Sequence, residues 1–206
     1  MKNILIIGAN SKIASECAKL WAYKKNNLFL ISRNKNNLKN LALKLKKNGS
    51  NNVKYKTLDV NLLKKDIRKK IEKNLINLSK IDLVLFAFGE LLDNDIKNIK
   101  LKNIHNTINL NGLITCKLIY LFSKIFLSTN KGTIATITSV SGDVIKKSNF
   151  IYGSSKSIVS NFIIGLRSNI TDSKVKLIDI KPGFVITPMT KKFKKNILWS
   201  DPYKVA

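Results

Sequence analysis

The chain has 206 residues, with 38 Lys and Arg against 12 Asp and Glu, a net charge of +26. That length suits one domain with one large core. A hydrophobic content of 44% with a mean hydropathy near zero excludes a disordered basic tail. The charge invites a nucleic-acid reading. Only Arg33, Arg68 and Arg167 carry the forked guanidinium suited to base and phosphate readout, however, and the lysines are spread over nearly every segment. No specific nucleic-acid partner is expected.

In chain order, short runs rich in Ile, Leu, Val or Phe predict strands over 3–7, 28–32, 53–58, 83–88, 133–138 and 176–180. Amphipathic stretches between them predict helices over about 12–24, 35–47, 61–78, 94–128 and 152–171. Alternation repeated five times implies an α/β fold, a doubly wound, Rossmann-like parallel sheet of about six strands. No Pro occurs before Pro182, so residues 1–206 read as a single domain. The apolar run after Met1 is too short for a signal peptide, and no run approaches the roughly 18 apolar residues of a membrane span. A cytoplasmic protein is expected. Cys17 and Cys116 fall in helical patterns and read as buried thiols, with no metal site. His105, the single histidine, reads as a helix-surface residue.

Two places carry chemistry. The first strand ends in Ile7-Gly8-Ala9-Asn10-Ser11-Lys12-Ile13-Ala14 and passes directly into a helix. Such a turn lets a pyrophosphate approach backbone amides at a helix N-terminus, although one glycine alone is a weak signal. The second place is more specific. Tyr152-Gly153-Ser154-Ser155-Lys156 puts Tyr and Lys on one face of a predicted helix, and Ser139 follows the strand 133–138. A strand-end hydroxyl and a helical phenol can then converge at the carboxyl edge of the sheet. A neighbouring ammonium would stabilise phenolate and draw the phenol from about 10 toward working pH.

These motifs resemble the short-chain dehydrogenase/reductase family over essentially the whole chain, in the family's order. Gly8 through Ala14 resembles its cofactor turn, and Asp59 in Leu58-Asp59-Val60 its acidic residue at the adenine. Asn109, Ser139, Tyr152 and Lys156 are similar to its catalytic tetrad. Pro182-Gly183-Phe184-Val185-Ile186-Thr187-Pro188 resembles the segment that meets the nicotinamide. The resemblance implies cofactor contacts from Gly8, Asn10, Ser11, Lys12, Ile13, Arg33, Asp59, Ala87, Gly89, Pro182, Gly183, Val185 and Thr187. It also implies a homo-oligomer paired through the helices that carry Asn109 and Tyr152.

Three departures matter. Lys12 and Ala14 replace the turn's second and third glycines, and Lys12 reads equally as a contact to a cofactor phosphate or as a solvent-facing lysine. Phe86-Ala87-Phe88-Gly89 replaces the family's Asn-Asn-Ala-Gly, so the sheet must find those hydrogen bonds elsewhere. The second strand ends in Ser32-Arg33 rather than a carboxylate. A permanently charged, forked donor there favours the 2′-phosphate of NADP(H) over NAD(H).

A narrower resemblance joins Ala87–Asp93 and Ser148–Ser154 to decaprenylphosphoryl-2-keto-pentose reductases, in carbohydrate metabolism. It implies NADPH-dependent reduction of a keto-sugar, with a small-molecule or lipid-linked substrate and peripheral contact with the inner membrane face. Lys146-Lys147 would then rim the site for a phosphodiester, or be two more solvated lysines. The alternatives are a carbonyl reductase acting on an acyl or nucleotide-sugar substrate, and a catalytically impaired NADP-binding protein. By the family's pattern the C-terminus is short, with a substrate lid beginning near 187 and a further strand incomplete.

Overall fold

A computed structural model describes residues 1–62, 67–73, 75–92 and 96–206. Six parallel strands form one sheet in the order β3-β2-β1-β4-β5-β6. They are β1 (Asn3–Ile7), β2 (Asn27–Ser32), β3 (Asn52–Thr57), β4 (Leu83–Phe86), β5 (Gly132–Ile137) and β6 (Val175–Ile180). Each predicted strand is found, within one or two residues at either end.

Alternation along the strands divides the core in two. Ile4, Ile6, Leu28, Leu30 and Leu85 pack on one face with Ala14, Ala18 and Ala22 of α1 (Lys12–Tyr23) and with Leu38, Leu41 and Leu45 of α2 (Lys35–Lys47). Three small residues on one stripe let α1 lie close to the sheet. Asn34 caps α2, accepting a 3.0 Å hydrogen bond from the Asn37 amide. Lys44, Lys46 and Lys47 complement its C-terminal dipole.

Leu5, Ile7, Phe29, Ile31, Val84, Phe86 and Ile134 face the other way. They meet α3 (Ile67–Glu72), α5 (Thr115–Ser128) and α6 (Phe150–Asn169). Phe86, Phe122 and Phe126 stack edge to face at 5.7 and 5.9 Å, each such pair adding about 0.5–1.5 kcal/mol beyond its buried area.

The helix expected over 94–128 is interrupted. α4 (Leu101–Ile108) gives way to a π-helical segment, Asn109–Ile114, before α5. The Thr115 hydroxyl donates to the Leu110 carbonyl at 3.3 Å inside this wider turn. Such single wide turns inside α-helices are frequent at functional sites. Residues 94–95 of that prediction, and 63–66 and 74 of the one over 61–78, lie outside the described residues. So does Asp93.

One stretch bears on the expectation of no membrane-spanning run. Leu101–Ser128 is long and apolar enough to cross a membrane by length and composition, with a mean hydropathy of 1.4. Two thirds of its apolar window is buried inside this fold, as in the core helix of an α/β domain. Cys17 and Cys116 are free thiols, and burial pushes both up to about 11. After β6 the chain doubles back. The Ile186 amide donates to the Ser200 carbonyl and the Ser200 amide to the Phe184 carbonyl, both at 2.9 Å. A short helix, α7 (Pro202–Val205), then packs on α1.

Candidate active site

The strand order reverses direction between β1 and β4, which opens a crevice at the carboxyl edge of the sheet. A cleft of about 330 Å³ occupies it. At one end lie Gly8, Asn10, Ser11, Lys12 and Ile13 from the β1–α1 turn, with Ser32, Arg33 and Asp59 from the ends of β2 and β3. At the other lie Ser139, Tyr152 and Lys156. Ala87 and Gly89 form the floor, and Pro182, Gly183, Val185, Thr187, Pro188, Met189 and Thr190 a wall. Every cofactor contact expected from the sequence lines this one cleft.

Gly8 explains the shape of the near end. Its φ is +92°, and a Cβ there would sit 2.6 Å from the Ala87 carbonyl carbon and 2.6 Å from the Phe88 nitrogen. The Gly8 and Ala9 amides donate to the Ile31 carbonyl at 2.9 and 3.1 Å, tying the turn to β2. Lys12 and Arg33 are exposed cations at this end of the cleft. A narrow backbone cradle flanked by cations fits a diphosphate-bearing nucleotide.

At the far end, Ser139 leaves β5 in extended conformation, and its Oγ accepts from the Ser141 amide at 3.1 Å. Ser139 also hydrogen-bonds the Tyr152 phenol, an interaction that favours the phenolate. Burial outweighs it and pushes the phenol up. The net shift is upward, against the fall expected beside an ammonium. The Lys156 ammonium is 5.7 Å from the Tyr152 ring centroid and donates at 3.0 Å to the Ile137 carbonyl. Its side chain is almost wholly buried, and burial pushes it down to about 8 while the Asp179 carboxylate pulls it back up.

The placement of the expected Asn differs. Asn109 is half-buried at the start of the π-helical segment and does not line the cleft. Asn111, two residues on, is fully buried and does the reaching. Its Oδ1 accepts from the Glu90 amide at 2.9 Å, and its Nδ2 donates to the Glu90 carbonyl at 2.8 Å and to Ser155 Oγ at 3.2 Å. A Cβ on Gly89 would lie 3.0 Å from that Oδ1 and 3.6 Å from Lys156 Nζ. The Glu90 carboxylate in turn accepts from Thr107 at 3.0 Å. One amide thus fixes the loop after β4 against the helix that carries Lys156. It takes over the anchoring that the Phe-Ala-Phe-Gly sequence cannot provide. The sequence points to Asn109; the hydrogen bonds from this helical turn to the loop after β4 are made by Asn111.

Asp179 was also missed. It sits on β6 with its carboxylate almost buried, hydrogen-bonded by Thr138 and 3.7 Å from Lys181. A carboxylate inside an apolar strand pattern, two residues before the Lys181–Pro182 turn, was the available signal. Lys146 and Lys147 do not line the cleft. Lys146 instead lies over the Phe184 ring at 5.7 Å, beside the Gly183 wall. His105 is exposed on α4, as expected.

Residues 2–198 match the short chain dehydrogenase family, and the chain belongs to it. An uncharacterised oxidoreductase of Staphylococcus epidermidis is 26% identical over 190 residues, 92% of this chain and 80% of that protein. Among solved structures, the fold resembles a bulky-bulky ketone specific alcohol dehydrogenase from Comamonas testosteroni. The TM-score is 0.84 at 21% identity, over all of this chain and 79% of that one. An alcohol dehydrogenase from the archaeon Thermococcus sibiricus, complexed with 5-hydroxy-NADP, gives 0.85 at 22% identity, over all of this chain and 87% of that one.

Proposed function

We propose that the chain is an NADPH-dependent carbonyl reductase, converting a ketone to a secondary alcohol. One observation carries this reading. A single cleft joins the Gly8 turn and Arg33 at one end to Ser139, Tyr152 and Lys156 at the other. The Gly8 cradle, Lys12 and Arg33 would hold the diphosphate and 2′-phosphate, with Asp59 toward the adenine and the 182–187 wall along the nicotinamide. NADPH, when bound, supplies the hydride. Ser139 hydrogen-bonds the substrate carbonyl and orients it. Tyr152, kept protonated by burial, donates its proton to the developing alkoxide. Lys156 presents a positive charge that stabilises the phenolate left behind, and Asn111, rather than Asn109, holds the loop against which Lys156 packs. The NADPH complex of a similar fold from Sphingobium yanoikuyae supports the choice of cofactor.

The substrate reading is the general one, an apolar or acyl ketone. Lys146 and Lys147, the one local feature that would fit a polyprenyl-phosphate-linked keto-sugar, do not line the cleft. A turnover screen of NADPH against acyl ketones, soluble keto-sugars and polyprenylphosphoryl keto-sugars tests this. Consumption of NADPH with none of the three classes overturns the reductase reading. Pairing of two copies is proposed through α5 and α6, which keep Tyr120, Ile158 and Ile164 exposed.

Two further outcomes are expected here. Arg33→Ala lowers kcat/KM for NADPH by about 10- to 100-fold, the worth of a charge-assisted phosphate contact, and leaves NADH nearly unchanged. Equal losses with both cofactors would remove Arg33 from the 2′-phosphate. In the pH profile of kcat/KM for NADPH, an alkaline limb is expected near the Lys156 value of about 8, where the ammonium loses its proton. The Asp179 carboxylate favours that ammonium, so Asp179→Asn shifts the limb to lower pH. A limb that stays in place or moves upward would separate Asp179 from Lys156.

A further inference from the structure

Beside the mouth of the cleft, the chain exposes apolar side chains together with lysines. The cleft wall runs through Pro188, Met189 and Thr190 into Lys191-Lys192-Phe193-Lys194-Lys195-Asn196-Ile197-Leu198, all of it exposed. Ile197 is 98% and Leu198 68% exposed, far beyond what an isolated apolar surface residue needs for packing. Ring contacts link residues within this segment, and Lys146 adds one from the loop after Ser139. Phe184 stacks on Trp199 at 5.1 Å and Phe193 on Trp199 at 6.5 Å, with Lys146 over Phe184 at 5.7 Å and Lys192 over Phe193 at 5.8 Å. The same loop exposes Val144 and Ile145 next to Lys146 and Lys147.

Charge selects the occupant. No acidic residue occurs from 144 to 171 or from 180 to 200. Asp143, at the edge of the patch, is paired with Lys181 at 2.6 Å. A face of Ile, Leu, Val, Phe and Trp bordered mainly by lysines, with Asp143 neutralised by Lys181, is poorly suited to water. It matches the interface of an anionic bilayer, where apolar side chains enter the acyl boundary and ammonium groups stay among the headgroups.

We propose that the aromatic and lysine-flanked surface formed by 144–147 and 184–199 docks on an anionic lipid surface, with the mouth of the cleft toward the membrane. The cleft would then receive a ketone that partitions into lipid without its crossing bulk water. This surface is independent of the reductase reading, because it is defined by vesicle binding and not by turnover.

The test is flotation of the full chain with vesicles of phosphatidylcholine, with and without phosphatidylglycerol. A protein of this charge has a general attraction to anionic surfaces, so the variants separate that attraction from docking. Ile197→Ser with Leu198→Ser leaves the charge unchanged and, at exposed positions, leaves the fold intact. It is expected to weaken binding to phosphatidylglycerol vesicles by about ten-fold or more. Lys191→Gln, Lys192→Gln and Lys194→Gln together remove three charges at the mouth and should weaken binding strongly. Lys44→Gln, Lys46→Gln and Lys47→Gln remove three charges on α2, at the opposite edge of the sheet, and should do much less. Absence of binding overturns the proposal, as do serine variants that bind unchanged or two triple variants that lose affinity equally. Self-association in sedimentation that the serine variant abolishes, without vesicle binding, would assign the patch to a second copy and also overturn it.

Discussion

Replacing Tyr152 by Phe is expected to lower kcat for carbonyl reduction by about 1,000-fold, in the range set for a lost general acid. NADPH affinity should stay within about two-fold. The substitution removes one oxygen from a half-buried ring and leaves the ring beside Lys156, so the cleft keeps its shape. The cradle around Gly8 and Arg33 is at the opposite end of the cleft from Tyr152 and is untouched. Single-turnover kinetics and a fluorescence titration with NADPH separate the two quantities. Parallel losses in both would mean that the phenol organises the cleft and donates no proton. Full turnover without it would pass the proton to another group, with Ser139 the nearest hydroxyl.

The second large effect is on folding. Gly8→Ala places a methyl group 2.6 Å from two backbone atoms of the loop after β4 and forces an L-residue to a φ of +92°. Strain and overpacking together cost about 3–5 kcal/mol, and the melting temperature of a domain this size should fall by about 10 °C. The loop cannot retreat easily, because Ala87 is bonded to Ile7 at 2.8 Å and Glu90 is held by Asn111. Gly165→Ala is the matched control. It lies within α6 with nothing within 4 Å of its added carbon, and there the same methyl should raise stability slightly. If the two variants melt alike, crowding at the turn is not what requires a glycine at position 8.

Much of this was legible in the residues. Strands buried on both faces announce themselves as apolar runs, and Leu38, Leu41 and Leu45 gave α2 its bounds. The chemistry of the far end was legible for a different reason. Ser139, Tyr152 and Lys156 are fixed by local geometry, one at a strand end and two on one helix turn. What stayed hidden depends on side chains meeting across long stretches of chain. The wide turn at Asn109–Ile114 leaves no composition signature, so the contacts of Asn111 with Glu90 and Ser155 could not be foreseen. The state of Tyr152 was misjudged because burial, which no local motif encodes, outweighs the neighbouring charge. Asp179 reads in sequence as one polar residue in a strand. Its proximity to Lys156 exists only once β5 and β6 are paired.

The walls of the cleft come from residues 7 to 190, and each βα unit of the sheet contributes part of them. No single βα unit therefore contains the whole cleft, and its two ends come together only when the sheet is assembled. A nucleotide that binds here acts as a staple joining β1, β2, β4, β5 and the segment after β6. A ligand that binds only the assembled cleft adds to the stability of the fold, about 2.7 kcal/mol at a hundredfold excess over Kd. Cofactor supply would in this way set how long the chain survives proteolysis as well as how fast it turns over.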